Sequence, residues 1–188
     1  MTGQRNIARG GINWRLIGWT VAAALLLMPV LAMQATPEVA WGPGDFAAFA
    51  LVLGGAGLAC EFLMRKAANP SYRAASCVAA GAGLLLLWAN AAIGLIGSEG
   101  ENANLLYFGV LAIAVVGAAI GGFRARRMVH ACVAAALGQA AVPVIALSAG
   151  WASVEMVGSA DVLMVSGGFI ALWLVAAALF RKAAQSAQ

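Results

Sequence analysis

Residues Leu105 to Phe123 read LLYFGVLAIAVVGAAIGGF, and Arg124, Arg126 and Arg127 follow at once. This stretch decides the fold. It carries no charged side chain, and as a helix rising about 1.5 Å per residue it is just under the roughly 30 Å of a bilayer core. Five further runs of the same kind lie along the chain: approximately Leu16 to Met33, Phe46 to Met64, Ala74 to Gly97, Met128 to Ala149 and Val162 to Phe180. None alternates polar with apolar as a barrel strand does. With every backbone group to be satisfied inside lipid, helices remain. The sequence predicts an all-α, polytopic membrane bundle of six transmembrane helices in a single domain spanning residues 1–188.

Composition agrees. The chain is 63% hydrophobic and 10% charged, against about a quarter charged in a soluble domain. A net charge of +4 invites a nucleic-acid reading, but the placement of the charges removes it. Arg5, Arg9 and Arg15 precede the first run. Arg65, Lys66 and Arg73 lie between the second and third, and Arg124, Arg126 and Arg127 between the fourth and fifth. Arg181 and Lys182 follow the sixth. With six spans all 11 basic residues fall on one side, which the positive-inside rule makes cytoplasmic. Both ends of the chain are then cytoplasmic. Six of the seven acids (Glu38, Asp45, Glu99, Glu101, Glu155 and Asp161) fall on the other side. The first run follows a basic segment, as a signal peptide does. Met33 and Gln34 interrupt any small-x-small cleavage site, so it reads as a retained span. The expected partner is the bilayer, and no nucleic acid.

Three outer helix starts follow an Asp or Asn: Asp45 before Phe46, Asn104 before Leu105 and Asp161 before Val162. Each is expected to cap the free N–H groups of its first turn. Gly54, Gly55 and Gly57 crowd the second run, Gly81 and Gly83 the third, and Gly117 and Gly121 stand at GxxxG spacing in the fourth. Small residues allow close helix packing. They serve equally for packing within the chain, for a homo-oligomer or for docking a membrane-protein partner. Trp14, Trp19, Trp41 and Trp151 fall where interfacial anchors belong.

Polar groups inside the bilayer are the places to look for function. Asn90 lies about 10 Å below the outer end and Gln139 near mid-membrane, at depths close enough for an interhelical hydrogen bond. The two form either that bond or a small polar binding site. Glu99 and Glu101, in the segment Gly97-Ser98-Glu99-Gly100-Glu101, are further binding candidates for a cation, although the segment lacks the ligand count of a calcium loop. Near the cytoplasmic ends stand Cys60, Glu61, Ser76, Cys77, His130 and Cys132. Their spacing matches no metal motif, and Arg65 offers Glu61 a plain i,i+4 partner. No metal site, cofactor or catalytic group is therefore expected. No phosphate-binding loop, zinc-protease helix or nucleophile elbow is present in the sequence.

The segment Trp88-Ala89-Asn90-Ala91-Ala92-Ile93-Gly94-Leu95-Ile96-Gly97-Ser98-Glu99, with Asn102, Asn104 and Tyr107 after it, resembles a family of small bacterial inner-membrane proteins. Asp45-Phe46 and Tyr72-Arg73 also fit. The resemblance runs from the first span to the fifth. It implies an inner-membrane location and draws attention to Asn90 and the outer loop, and it brings no activity with it. Three functions stay open: a non-catalytic accessory or scaffold subunit, a small-molecule binding or transport protein, and, lowest, a membrane enzyme.

Overall fold

The computed structural model describes residues 14–35, 41–65, 69–96 and 101–186. Six helices among them are long and apolar enough to cross a membrane. They are α1 (Trp14–Ala35), α2 (Pro43–Arg65), α3 (Pro70–Ile93), α4 (Leu105–Ile120), α5 (Ala125–Ser148) and α7 (Ala160–Gln185). A single turn, α6 (Val154–Val157), interrupts the connection between α5 and α7.

Four helices close a ring. α5 packs most extensively against α7, α7 against α3, α5 also against α4, and α4 more lightly against α3. In lipid this packing rests on close van der Waals contact, because burial from water is not available to drive it. The core is accordingly built on small side chains, with Ala75, Ala135, Ala146 and Ala176 wholly inaccessible beside Leu86, Tyr107 and Phe180. Outside the ring α2 lies on α3, and α1 lies chiefly on α2.

The GxxxG pair is used inside the chain. A Cβ on Gly117 would come within 3.0 Å of the Ala131 Cβ, and one on Gly121 within 2.9 Å of the Arg127 Cβ. Both glycines thus let α4 approach α5. Gly54, Gly55 and Gly81 have nothing within 4 Å of such a Cβ, so they hold no helix pair together. Gly57 carries the Trp19 ring of α1, whose Cη2 would lie 3.2 Å from an added Cβ.

Helix ends correct the capping expectations. α3 starts four residues before the apolar run, because Asn69 caps it: its Oδ1 accepts the Tyr72 N–H at 2.8 Å, and Pro70 takes the first helical position. α2 starts at Pro43, so Asp45 lies within the first turn and its carboxylate accepts the Gly42 N–H at 2.8 Å. That is the returning half of a capping box. α7 is capped by Ser159, which accepts the Val162 N–H at 3.4 Å, and Asp161 sits inside the first turn. There it still favours the positive end of the helix dipole. The Asn104 side chain makes no cap bond to the first turn of α4 among the described residues. α4 ends in a Schellman turn: the Phe123 N–H reaches the Ala118 oxygen at 3.1 Å and the Gly122 N–H the Ala119 oxygen at 2.9 Å. Gly150 and Trp151 close α5 the same way, bonding to Leu147 and Ala146 at 3.1 and 2.9 Å.

Long-range bonds gather the basic helix ends at one end of the bundle. Tyr72 Oη donates to the Phe123 carbonyl at 2.6 Å, and Asn69 Nδ2 donates to the Ala183 carbonyl at 3.0 Å. Arg15 of α1 pairs with Glu61 of α2 at 2.6 Å. The starts of α1, α3 and α5 and the ends of α2, α4 and α7 therefore share one basic face.

Candidate functional site

The sequence candidates do not converge. Asn90 and Gln139 are both buried, at 5% and 0% exposure, so neither amide faces lipid. Asn90 Oδ1 and both Gln139 amide atoms have no hydrogen-bond partner among the described residues, so the expected Asn90–Gln139 bond is not formed. The reason lies in the ring order. α3 and α5 stand on a diagonal, separated by α7 and α4. Similar depth does not suffice when position around the ring keeps the two helices apart. Trp173 Nε1 is likewise buried and unpartnered, and Tyr107 lies beside Ser166.

Glu99 lies outside the described residues. Glu101 leads into a one-turn 3-10 helix (Asn102–Asn104), and its backbone carbonyl accepts the Asn104 N–H at 3.0 Å. Asn104 is 3% exposed and turns its amide toward the chain after α3. Its Oδ1 accepts the Leu95 and Ile96 N–H groups at 2.9 Å each, and its Nδ2 donates to the Ile96 carbonyl at 3.2 Å. Its role is to fold the outer connection. Trp41, expected as an interfacial anchor, packs at 5.2 Å on Trp88 and 5.5 Å on Phe49, tying the start of α2 to the far end of α3.

A different site emerges from the helices outside the ring. Between α1, α2 and α3 runs a groove of about 580 Å³. Three helical stripes form it. Arg15, Trp19, Ala22 and Leu25 come from α1, at spacings of three to four residues. Leu53, Ala56, Gly57, Cys60, Glu61, Met64 and Arg65 supply the α2 stripe. Arg73, Cys77, Ala80, Gly81 and Leu84 supply that of α3. The stripes put the polar groups at the basic end and leave the rest of the groove apolar.

At that end Glu61 accepts from two guanidiniums, Arg15 at 2.6 Å and Arg65 at 2.8 Å. The Arg65 pair is the local i,i+4 one. The Arg15 pair joins two helices, which spacing alone does not reveal. Arg73 lines the same mouth. Three guanidiniums against one carboxylate leave two positive charges. Arg15 and Arg65 keep 66% and 69% of their side chains exposed, so their free donors face outward.

The sulfurs stand at the same end, Cys60 next to Glu61 and Met64 next to Arg65 on α2, and Cys77 one turn along α3 from Arg73. Cys60 Sγ lies 3.6 Å from Cys77 Sγ and 3.8 Å from Met64 Sδ, and both thiols are free. Sequence spacing hid this convergence because the two cysteines come from different helices. Cys132 is buried away from them, in the wall of a second groove, and His130 is exposed on α5. The second groove, about 670 Å³ between α2, α3 and α4, is lined by apolar side chains, with Cys132 of α5 and Trp173 of α7 among them.

Compared with known proteins, the chain matches no family model, no curated protein and no solved structure.

Proposed function

We propose that this chain is a non-catalytic, multi-pass protein of a bacterial inner membrane that binds an anionic amphiphile drawn from the bilayer. Its basic end faces the cytoplasm, in keeping with the bias of Lys and Arg. One observation carries the reading: a groove with a net charge of +2 at its mouth and an apolar length beyond it, between helices α1, α2 and α3. Guanidiniums match phosphate oxygens in charge and in fork geometry. Basic pockets between membrane helices on the cytoplasmic side suit phospholipid head groups. The apolar stripe from Gly57 and Leu53 across to Leu84 and Leu25 suits an acyl chain. Glu61 holds Arg15 and Arg65 in place and leaves their outward donors to the ligand.

The test is native mass spectrometry of the full chain in mild detergent, with phosphatidic acid and phosphatidylcholine of the same chain length offered together. Wild type should retain phosphatidic acid at least tenfold more than phosphatidylcholine. Arg15→Gln, Arg65→Gln and Arg73→Gln together should remove that preference. Inorganic phosphate at millimolar concentration should not displace the lipid, because it lacks the tail. Equal retention of both lipids by wild type, or an undiminished preference in the triple variant, would overturn the reading. A stably co-purifying protein with no lipid preference would replace it with the accessory-subunit reading.

A further inference from the structure

We infer that Cys60, Met64 and Cys77 form a binding site for a soft monovalent metal ion, copper(I). The site goes beyond lipid binding and rests on different atoms, and it departs from the expectation that the chain holds no metal.

Three donors meet. Cys60 and Met64 are one turn apart on α2, and Cys77 comes across from α3. The two sulfur–sulfur separations from Cys60 are 3.6 and 3.8 Å. A metal bound to sulfur at about 2.3 Å in a trigonal arrangement sets its ligands about 4 Å apart. The thiols need to part by only a few tenths of an ångström, which side-chain rotation supplies. The thiols are unbonded, since a disulfide requires sulfurs about 2 Å apart.

The donor set chooses the ion. Thiolate and thioether are soft ligands that select copper(I). Zinc prefers four ligands drawn from thiolate, imidazole and carboxylate. His130 is exposed on α5 and Glu61 is engaged by two arginines, so neither completes a zinc set at these sulfurs. Calcium and magnesium require oxygen.

Charge also balances. Copper(I) displaces one proton from each thiol, so two protons leave, two Cu–S bonds form and no electron moves. The Met64 thioether adds a third, neutral bond. The bis-thiolate complex carries one negative charge. Arg73, one turn before Cys77 on the same wall of the groove, lies beside it, and the mouth holds two uncompensated positive charges. All three sulfurs line the groove, so an ion reaches them from the basic end without crossing the packed core.

The experiment titrates copper(I) anaerobically into the full chain in mild detergent, against a chromophoric copper(I) chelator. Wild type should take one equivalent. Cys60→Ser and Cys77→Ser should each weaken retention at least 100-fold, Met64→Leu roughly tenfold, and Cys132→Ser not at all. X-ray absorption of the loaded protein should show sulfur ligands only. As a readout that needs no variant, silver(I) added to native membranes should protect Cys60 and Cys77 from alkylation. Cys60→Ser together with Cys77→Ser should keep the wild-type preference for phosphatidic acid, which separates failure of this site from failure of lipid binding. Absence of a copper equivalent in wild type, unchanged alkylation under silver(I), or nitrogen and oxygen ligands in the absorption spectrum would each overturn the assignment.

Discussion

The Tyr72 hydroxyl donates to the main-chain oxygen of Phe123 over 2.6 Å, fastening the foot of α3 to the turn between α4 and α5. Phe123 is held at a φ of 57°, in the left-handed region that a bulky residue enters at a cost. The turn is therefore over-determined, by the Schellman bonds on one side and by Tyr72 on the other. Tyr72→Phe keeps the ring packed 5.1 Å from Phe180 and removes only the hydrogen bond. It should cost about 1 kcal/mol, read as a lower unfolding midpoint in detergent. An unchanged midpoint would show that the bond contributes nothing.

Asn104 gives a sharper test, because a capping residue and a loop staple respond differently to serine. A cap is largely restored by Ser. Here the amide serves two N–H donors and one carbonyl at once, and a hydroxyl on a shorter side chain does not span them. Asn104→Ala and Asn104→Ser should both lower stability by about 1–3 kcal/mol, the cost of stranding buried backbone groups. Recovery with Ser would return Asn104 to a capping role.

Asn90 and Gln139 stand on diagonal helices, so their energies should add. In a double-mutant cycle with Asn90→Leu and Gln139→Leu, the coupling should stay below about 0.5 kcal/mol. Gln139→Leu alone should raise stability by about 1 kcal/mol, because it removes an amide that lacks a partner among the described residues. A coupling above about 1 kcal/mol would mean that the two amides meet after all.

Gly117 should resist enlargement. A Cβ there lies 3.3 Å from the Ala131 Cα, which is backbone and cannot rotate away. Gly117→Val should cost about 1–3 kcal/mol by forcing α4 off α5, with the oligomeric state by light scattering unchanged. Loss of a dimer with no loss of stability would move the GxxxG pair to an interface between copies.

Orientation is tested by reporter fusions. Fusions at Gln34, Glu101 and Gly150 should read periplasmic, and those at Asn69 and after Gln188 cytoplasmic. A periplasmic signal after Gln188 would invert the assignment of the basic end.

The extent of each helix was legible in the sequence and azimuth was not. Six apolar runs gave six helices within a few residues of their ends, because length and composition alone decide what spans a bilayer. The α3 start was missed because Tyr72 and Arg73 looked like loop residues, although Asn69-Pro70 is a readable start signal. The rise per residue put Asn90 and Gln139 at neighbouring heights. It said nothing of which helices stand side by side, because a span that is apolar all round marks no buried face. The same blindness concealed the Cys60–Cys77 approach and the Arg15–Glu61 pair, since each joins two helices.

Helix α1 touches the rest of the chain chiefly along α2, through Trp19 on Gly57 and Arg15 on Glu61. None of the ring's interior side chains comes from it. The groove therefore has one bank set into the packed ring, α3, and one that lies outside it, α1. If the groove loads a lipid as proposed, α1 is the helix expected to give way, because it packs chiefly on α2. Occupancy is then reported by α1 alone: a spin-label pair on α1 and α3 would widen on loading, while a pair on α5 and α7 would keep its distance.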